Sequence, residues 1–154
     1  MIPLGDNTPS RKFPVINWMI ILANASVFIV ELSIGDTKAF LYEYGLIPSQ
    51  TTLWGNNTHT FLTNIFLHAG WGHLLTNMWM LYIFGDNVED LMGSFRYLLF
   101  YILTGIIAGL SHYFLYPDST VPAIGASGAI SGVMAAYMFL FPNGLILTFV
   151  PLFF

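Results

Sequence analysis

The residues best suited to chemistry are a serine, a histidine and an asparagine that lie in strongly apolar parts of the chain. Ser127 stands between Gly125-Ala126 and Gly128, at the start of an apolar run. His73 and Asn77 are four residues apart, so on a helix their side chains share one face. A hydroxyl nucleophile, hydrogen-bond donors and the free N–H groups of a helix start are the components of acyl-transfer catalysis.

The same side chains also fit a purely structural interpretation. Ser, His and Asn commonly join membrane helices by hydrogen bonds, at about 0.6 kcal/mol each. His112 is a further polar residue within an apolar run. The segments 105–109 and 128–132 both have the pattern Gly-x-x-x-Gly, which favours close helix packing. Spacing alone leaves both interpretations open, and it predicts that the third and fourth apolar segments approach closely.

Composition indicates that the solvent of this chain is largely lipid. Of its 154 residues 56% are hydrophobic and 8% charged, and the mean hydropathy is +0.70. We therefore expect an all-α, polytopic membrane helix bundle. The net charge of −4, without a basic block, argues against a nucleic-acid partner. Cysteine is absent, the histidines are not clustered and no glycine-rich phosphate loop follows a strand, so no metal or organic cofactor is expected.

The apolar runs predict four membrane spans. A helix needs about 20 residues to cross a hydrocarbon core about 30 Å thick. The spans are expected at about residues 15–34, 72–84, 97–116 and 121–141 of one membrane domain, 15–154. Residues 1–14 form a tail, and residues 35–70 form a long loop. The run 145–154 is too short to span and contains a proline, so we expect an interfacial segment or the lead into a further helix.

The positive charges predict how the chain is oriented in the membrane. Arg11, Lys12 and Arg96 fall on one side of the predicted spans, and only Lys38 falls on the other. The positive-inside rule then places the amino terminus and the tail 1–14 in the cytoplasm. Loop 35–70 is external, and Ser127 lies near the same external face as the start of the second span. We expect an integral, multi-pass protein of the plasma membrane or an inner membrane.

Two ordered motifs carry a family resemblance. Residues 66–78 read Phe-Leu-His-Ala-Gly-Trp-Gly-His-Leu-Leu-Thr-Asn-Met, and Gly-Ala-Ser-Gly follows at 125–128. Together they resemble the rhomboid family of intramembrane serine proteases. The resemblance implies that Ser127 is the nucleophile, and that His73 and Asn77 line the oxyanion hole with the serine N–H. It also implies that Glu89 is the structural glutamate of the loop after the second span, and that the partners are transmembrane protein substrates within the lipid bilayer.

The chain departs from the family pattern at two places. Many rhomboids carry a Trp-Arg pair shortly before the threonine matched by Thr63, whereas this chain has His59-Thr60. The family's general base is a histidine on the sixth helix, and none of the four histidines matches it. We therefore expect the amino-terminal part of a six-helix protease, with about four of six helices present, and expect these 154 residues to be inactive alone.

Two alternatives come from other functional classes. A non-catalytic rhomboid-like protein that binds membrane proteins would keep the helices without the base, but it would not need Ser127, His73 and Asn77 together. A small transporter or channel would place polar residues along a pathway, yet the chain lacks further intramembrane acids or bases apart from Glu31 near the end of a span.

Overall fold

The computed structural model describes residues 2–151, and within them six α-helices account for most of the ordered structure. The helices are α1 (Val15–Ser33), α2 (Thr37–Tyr44), α3 (Thr60–Thr63), α4 (Trp71–Met92), α5 (Ser94–Leu115) and α6 (Ser127–Leu140). Short 3-10 turns cover Pro48–Gln50 and Asn64–Phe66, and two strands, β1 (Ile2–Asp6) and β2 (Ile146–Phe149), pair with each other.

The apolar runs predicted as spans fall on α1, α4, α5 and α6, and the ends of two of these helices differ from the bounds of the runs. Helix α4 continues to Met92 instead of ending near residue 84, and it stops at Gly93, whose φ of +80° suits glycine. Polar residues ended the apolar run in the sequence, yet Asn87 and Glu89 are buried and bonded within the fold. Helix α6 begins at Ser127 instead of residue 121, because a loop precedes it.

Two of the helices are long and apolar enough to cross a membrane. These are α1 and α5, with mean hydropathies of 1.9 and 1.8 over their most apolar windows. Helix α6 is apolar but has only 14 residues, and the carboxyl-terminal part of α4 carries several acidic residues. Large apolar side chains on the outer faces are exposed, as expected of lipid-facing positions; examples are Leu22, Ile29, Leu103, Ile107, Met138 and Phe139.

The core lies where α4, α5 and α6 meet, with α1 packed against α4 and α5. Tyr97 and Tyr101 of α5 are fully buried, as are Leu81 and Val88 of α4. Aromatic rings fill the space between α4 and α6, where Phe84 and Tyr137 meet edge to face at 5.1 Å. This three-helix contact holds α6 against α4 and α5.

Small residues allow α5 and α6 to approach closely, as the glycine patterns predicted. A Cβ atom built on Gly128 would lie 2.5 Å from the Cβ of Ala108, and one on Gly132 would lie 2.7 Å from the Cβ of Thr104. Both distances are shorter than side chains tolerate, so the helix pair requires glycine at these positions. Gly105 is similarly close to Ile65.

The segment 35–70 is folded and attached to the helices. The Thr63 hydroxyl donates to the Tyr44 carbonyl at 2.6 Å, and the Thr60 hydroxyl donates to the Asn57 carbonyl at 2.7 Å. His59 is exposed, with its ring 6.3 Å from that of Tyr44. Threonine hydroxyls bonded to main-chain carbonyls therefore help to hold the internal conformation of this loop in a chain that lacks the Trp-Arg pair.

The two-stranded sheet was not predicted. Strand β2 lies in the segment 145–154 that we expected to be interfacial or the lead into a helix, and β1 lies in the predicted tail. Pro142 precedes this segment and Pro151 lies within it, and both disfavour a continuous helix. The strands pair antiparallel, from Ile2 opposite Phe149 to Asp6 opposite Ile146. Residues 152–154 lie outside the described residues.

Candidate active site

Ser127 is the first residue of α6, and its side chain is exposed. The preceding Gly125 has a φ of +120°, a conformation that side-chain-bearing residues rarely adopt. No side chain caps the helix, and the first bond from this turn joins the Ile130 N–H to the Ala126 carbonyl at 2.9 Å. The N–H groups at the start of a helix have no partner within it, so hydrogen-bond donors surround Ser127.

His73 lies against the backbone that leads into Ser127. A Cβ atom built on Gly125 would come within 2.6 Å of the His73 Cε1 atom and 2.7 Å of Nε2. The ring edge that carries Nε2 therefore contacts the glycine two positions before the serine. Helix α4 presents His73 from its first turn, and the packing of α4 on α6 brings the two motifs together.

Asn77 lies one helical turn further along α4 and is buried. Its Nδ2 donates to the His73 carbonyl at 3.0 Å, which confirms that the two residues share a helix face. Among residues 2–151 the Ser127 hydroxyl makes no hydrogen bond to another protein group. The structure thus places His73 against Gly125, just before the start of α6, and Asn77 one helical turn further along α4. The catalytic roles of Ser127, His73 and Asn77 remain predictions.

A cavity of about 160 Å³ opens beside Ser127, between α5 and α6. Its walls include Ser127, His112 and Asn64, together with the small residues Gly105, Ala108 and Gly128. His112 was noted in the sequence only as a polar residue in an apolar run. The structure places it on the α5 wall of this cavity, where its ring lies 5.2 Å from that of Tyr116.

Main-chain bonds hold the loop before Ser127 against the segment 35–70. Leu46 and Ala123 form a bridge with two N–H···O=C bonds of 3.0 and 2.8 Å. The Gly125 N–H donates to the Asn64 carbonyl at 2.8 Å. Sequence reasoning missed these contacts, because main-chain partners leave no signal in residue type. These main-chain bonds fix the conformation of the loop that leads to Ser127.

Glu31 and His68 form a second buried contact near His73. The His68 N–H donates to Glu31 Oε1 at 3.2 Å. His68 is 1% exposed and Glu31 is 0% exposed. The His68 ring lies 5.0 Å from the His73 ring. Burial, and then the nearby His73, lowers the pKa of His68 to about 4, so this ring is neutral at neutral pH.

Glu89 has a structural role, but its predicted location was wrong. It lies in the last turn of α4 and not in the loop that follows. Its carboxylate accepts the N–H groups of Ile16 and Asn17 at 3.1 and 2.8 Å, and the Ser94 hydroxyl at 2.6 Å. Glu89 therefore caps the amino-terminal end of α1, whose own flanking residue, Pro14, provides no cap.

Metal ligands do not cluster in the part of the chain that the structure describes. Over residues 2–151, no group of three or more His, Asp or Glu side chains could hold a metal ion. The chemistry available at the start of α6 is that of a hydroxyl, imidazoles, a carboxamide and main-chain N–H groups. Such a set can stabilise an oxyanion at a serine.

Comparison with known proteins identifies the family. The rhomboid domain model matches residues 55–154. The chain is 36% identical over 132 residues to Rhomboid-like protein 11, chloroplastic, of Arabidopsis thaliana, covering 84% of this chain and 43% of that protein. It is 33% identical over 138 residues to the rhomboid protein YdcA of Bacillus subtilis, covering 88% and 68%.

A further relative is Rhomboid protease GluP of Bacillus subtilis, 33% identical over 117 residues, which cover 73% of this chain and 22% of GluP. The chain thus spans less than half the length of the Arabidopsis relative and of GluP. No solved structure matches it significantly. The match to most of the chain, together with the helical membrane bundle described above, shows that this protein belongs to the rhomboid family.

Proposed function

We propose that the protein is an intramembrane serine protease that cleaves peptide bonds in or near transmembrane segments of membrane proteins. Ser127 is the nucleophile, and His73, Asn77 and the Ser127 N–H stabilise the oxyanion. The observation that carries this proposal is the contact of the His73 ring edge with Gly125, at the entrance to α6. Family membership and a relative named as a protease support it.

The chemistry follows from the groups at the helix start. The Ser127 Oγ attacks the substrate carbonyl carbon while its proton passes to a general base, and the carbonyl oxygen becomes an oxyanion. The oxyanion accepts hydrogen bonds from donors already oriented by the fold. Collapse of the tetrahedral intermediate expels the amine and leaves an acyl-serine, which water then hydrolyses. The resemblance assigns the base to a histidine on a sixth helix, and no histidine in residues 1–154 matches that motif.

The bonding of Ser127 and Asn77 argues against a role as glue between helices. A serine that joins helices donates to a group on a neighbouring helix. The Ser127 hydroxyl makes no protein hydrogen bond within the described chain, and the Asn77 amide donates to its own helix. An exposed serine hydroxyl without a protein partner, two residues after a glycine that contacts the His73 ring, suits a nucleophile better.

The membrane orientation is part of the same proposal. The helices of this membrane protein cross the bilayer several times with the amino terminus in the cytoplasm. The basic residues Arg11, Lys12 and Arg96 support that orientation. Substrates then meet Ser127 near the external face. A substrate helix must approach through lipid, because the flanking apolar faces of α5 and α6 are exposed.

The experiment compares Ser127→Ala with Ser111→Ala in the full-length protein, reconstituted with a transmembrane substrate. Removal of the nucleophile is expected to lower the cleavage rate by about 10⁶-fold, as for serine proteases generally. Ser111 is also an exposed helical serine, with its hydroxyl bonded to the Ile107 carbonyl, so its variant is the matched control. Cleavage that survives Ser127→Ala would overturn the proposal, as would fluorophosphonate labelling of the full-length protein at another residue.

A further inference from the structure

Two buried polar atoms next to the proposed site have no hydrogen-bond partner. They are Oε2 of Glu31 and Nε2 of His68, and neither pairs with any group in residues 2–151. Glu31 is 0% exposed and His68 is 1% exposed, so neither atom reaches bulk solvent. An unsatisfied buried polar group destabilises the fold, and more so if it is charged. Two such groups in directly bonded residues need an explanation other than stability.

The hydrogen bonds of Glu31 and His68 fix the conformation of the segment that precedes α4. Glu31 Oε1 accepts the His68 main-chain N–H at 3.2 Å, so helix α1 fixes the backbone of His68. The His68 Nδ1 lies 3.3 Å from the Phe66 carbonyl. In a neutral ring Nδ1 then carries the proton and donates to that carbonyl, while Nε2 is an acceptor. Both the backbone and the ring of His68 are thus oriented.

His68 in turn contacts His73. The ring centroids are 5.0 Å apart, with the planes at 62°, so the rings meet edge to face. The Ala69 N–H points to His73 Nδ1 at 3.5 Å, which is a long contact. The opposite edge of the His73 ring contacts Gly125. A chain of contacts therefore runs from Glu31 through His68 to the His73 ring, which contacts Gly125 two residues before Ser127.

Apolar packing already joins α1 and α4 at this level. The Phe28 and Trp71 rings meet edge to face at 5.0 Å, and Phe28 is buried. A leucine in place of Glu31 would have added apolar contact without the cost of a buried carboxyl group. The carboxyl group is consequently better explained by the position that it imposes on His68 than by helix association.

We propose that Glu31 is a positioning residue that acts through His68 to orient the His73 ring toward the amino-terminal end of α6. The inference rests on the proposed function, in which His73 stabilises the oxyanion. It extends the site to helix α1, which contributes no group to the reacting atoms. An oxyanion donor must be held to well under 1 Å, since a displacement of about 1 Å can cost about 10²-fold in rate.

The test uses the full-length protein in detergent and two substitutions of Glu31. Glu31→Gln keeps a carbonyl oxygen that accepts the His68 N–H, whereas Glu31→Leu removes the acceptor. We expect Glu31→Leu to lower kcat by about tenfold or more, with KM changed by less than about threefold. Glu31→Gln should restore most of the kcat. Glu43→Leu is the control, because Glu43 is an exposed carboxylate on α2.

A second readout does not depend on proteolysis. In protein labelled with ¹⁵N-histidine, the ring signals of His73 should shift in Glu31→Leu and stay near their wild-type positions in Glu31→Gln. The exposed His59 provides an internal reference signal. If the proposed protease activity fails its own test with Ser127→Ala, this spectroscopic comparison still decides whether Glu31 orients His73.

The outcomes separate positioning from simple stabilisation. Unchanged His73 signals and unchanged kcat in Glu31→Leu, with only a lower unfolding temperature, would overturn the proposal. If Glu31→Leu does not fold, His68→Gln takes its place, because it keeps the main-chain bond to Glu31 and removes the ring. That variant should shift the His73 signals and lower kcat, and wild-type values for both would equally reject the proposal.

Discussion

A buried glutamate serves each end of helix α4: Glu89 of α4 itself lies near one end, and Glu31 of α1 is bonded to His68 just before the other. The two carboxyl groups are bonded in different ways. At the Glu89 end, both carboxylate oxygens accept hydrogen bonds, from two main-chain N–H groups of α1 and from the Ser94 hydroxyl. At the other end, Glu31 uses one oxygen, and the bonded His68 leaves Nε2 unpaired. The first arrangement satisfies its polar atoms and the second does not.

The polar residues around each glutamate extend the contrast. Next to Glu89, Asn17 donates from Nδ2 to the Leu81 carbonyl at 3.0 Å and accepts the Tyr97 hydroxyl at 2.7 Å. At the Glu31 end of α4, the His73 ring makes one long polar contact within the described residues. The Ser127 hydroxyl, at the start of α6, has no protein partner in the described chain. The bonds of Glu89, Asn17 and Tyr97 stabilise helix association, whereas the exposed Ser127 hydroxyl is available to a substrate. We interpret the Glu89 end as the stability centre and the Ser127 end as the reactive one.

The largest effect should come from His73→Ala, which tests the reactive end. Removal of one oxyanion donor costs about 10²–10³-fold in kcat. The unfolding temperature should change little, because His73 is only partly buried and its ring makes few polar contacts. Cleavage kinetics and thermal unfolding in detergent measure the two quantities. His59→Ala is the control, and a large loss of stability without a loss of kcat would reverse our assignment of this end.

Glu89→Ala tests the stability end and should show the opposite pattern. Two N–H groups of α1 lose their acceptor, so we expect a loss of about 2–3 kcal/mol in the free energy of unfolding. The kcat of the molecules that remain folded should stay near the wild-type value. Asp90→Ala provides a matched control, because Asp90 accepts only the Arg11 N–H, at an exposed position. Equal destabilisation by both variants would contradict the capping role of Glu89.

Gly132→Leu probes the contact between α5 and α6, on which both the Glu89 end and the Ser127 end depend. A side chain at this position would collide with Thr104 on α5 and separate α5 from α6. Overpacking of this kind costs about 1–3 kcal/mol. Gly128→Leu should behave similarly through its contact with Ala108, whereas a Cβ atom on Gly72 would meet nothing within 4 Å. Thermal unfolding of these variants, with Gly72→Leu as the control, decides whether close approach of the helices matters.

The sequence predicted those parts of the molecule that depend on local spacing. The shared face of His73 and Asn77 and the small-residue contact of α5 with α6 follow from helical periodicity. The bonds of Glu89 with residues 16 and 17, and of Glu31 with residue 68, join distant parts of the chain. No periodicity encodes such partners, so sequence reasoning ended α4 too early and missed the Glu31 contact.

The sheet was missed for the same reason. Strands β1 and β2 come from opposite ends of the described chain, and neither has the length or alternation of an independent strand. Formation of the sheet depends on contacts with α6 and α4. The Tyr137 hydroxyl donates to Asp6, and the Trp79 indole N–H donates to the Pro3 carbonyl. Tertiary contacts of this kind override a local preference that the sequence expresses only weakly.

Asn77→Ala should have the smallest effect and refines the comparison within the reactive end. Asn77 is buried and its amide donates to the His73 carbonyl, so it contributes both a candidate oxyanion donor and a local helix contact. Because the Ser127 N–H and His73 remain, we expect kcat to fall by about tenfold, less than in His73→Ala. Asn77→Asp keeps the shape but lacks the N–H donors, so it separates the packing of this side chain from its hydrogen-bond donation. If Asn77→Asp retains wild-type kcat while Asn77→Ala does not, then Asn77 acts through packing and the oxyanion role belongs to His73 and the main chain.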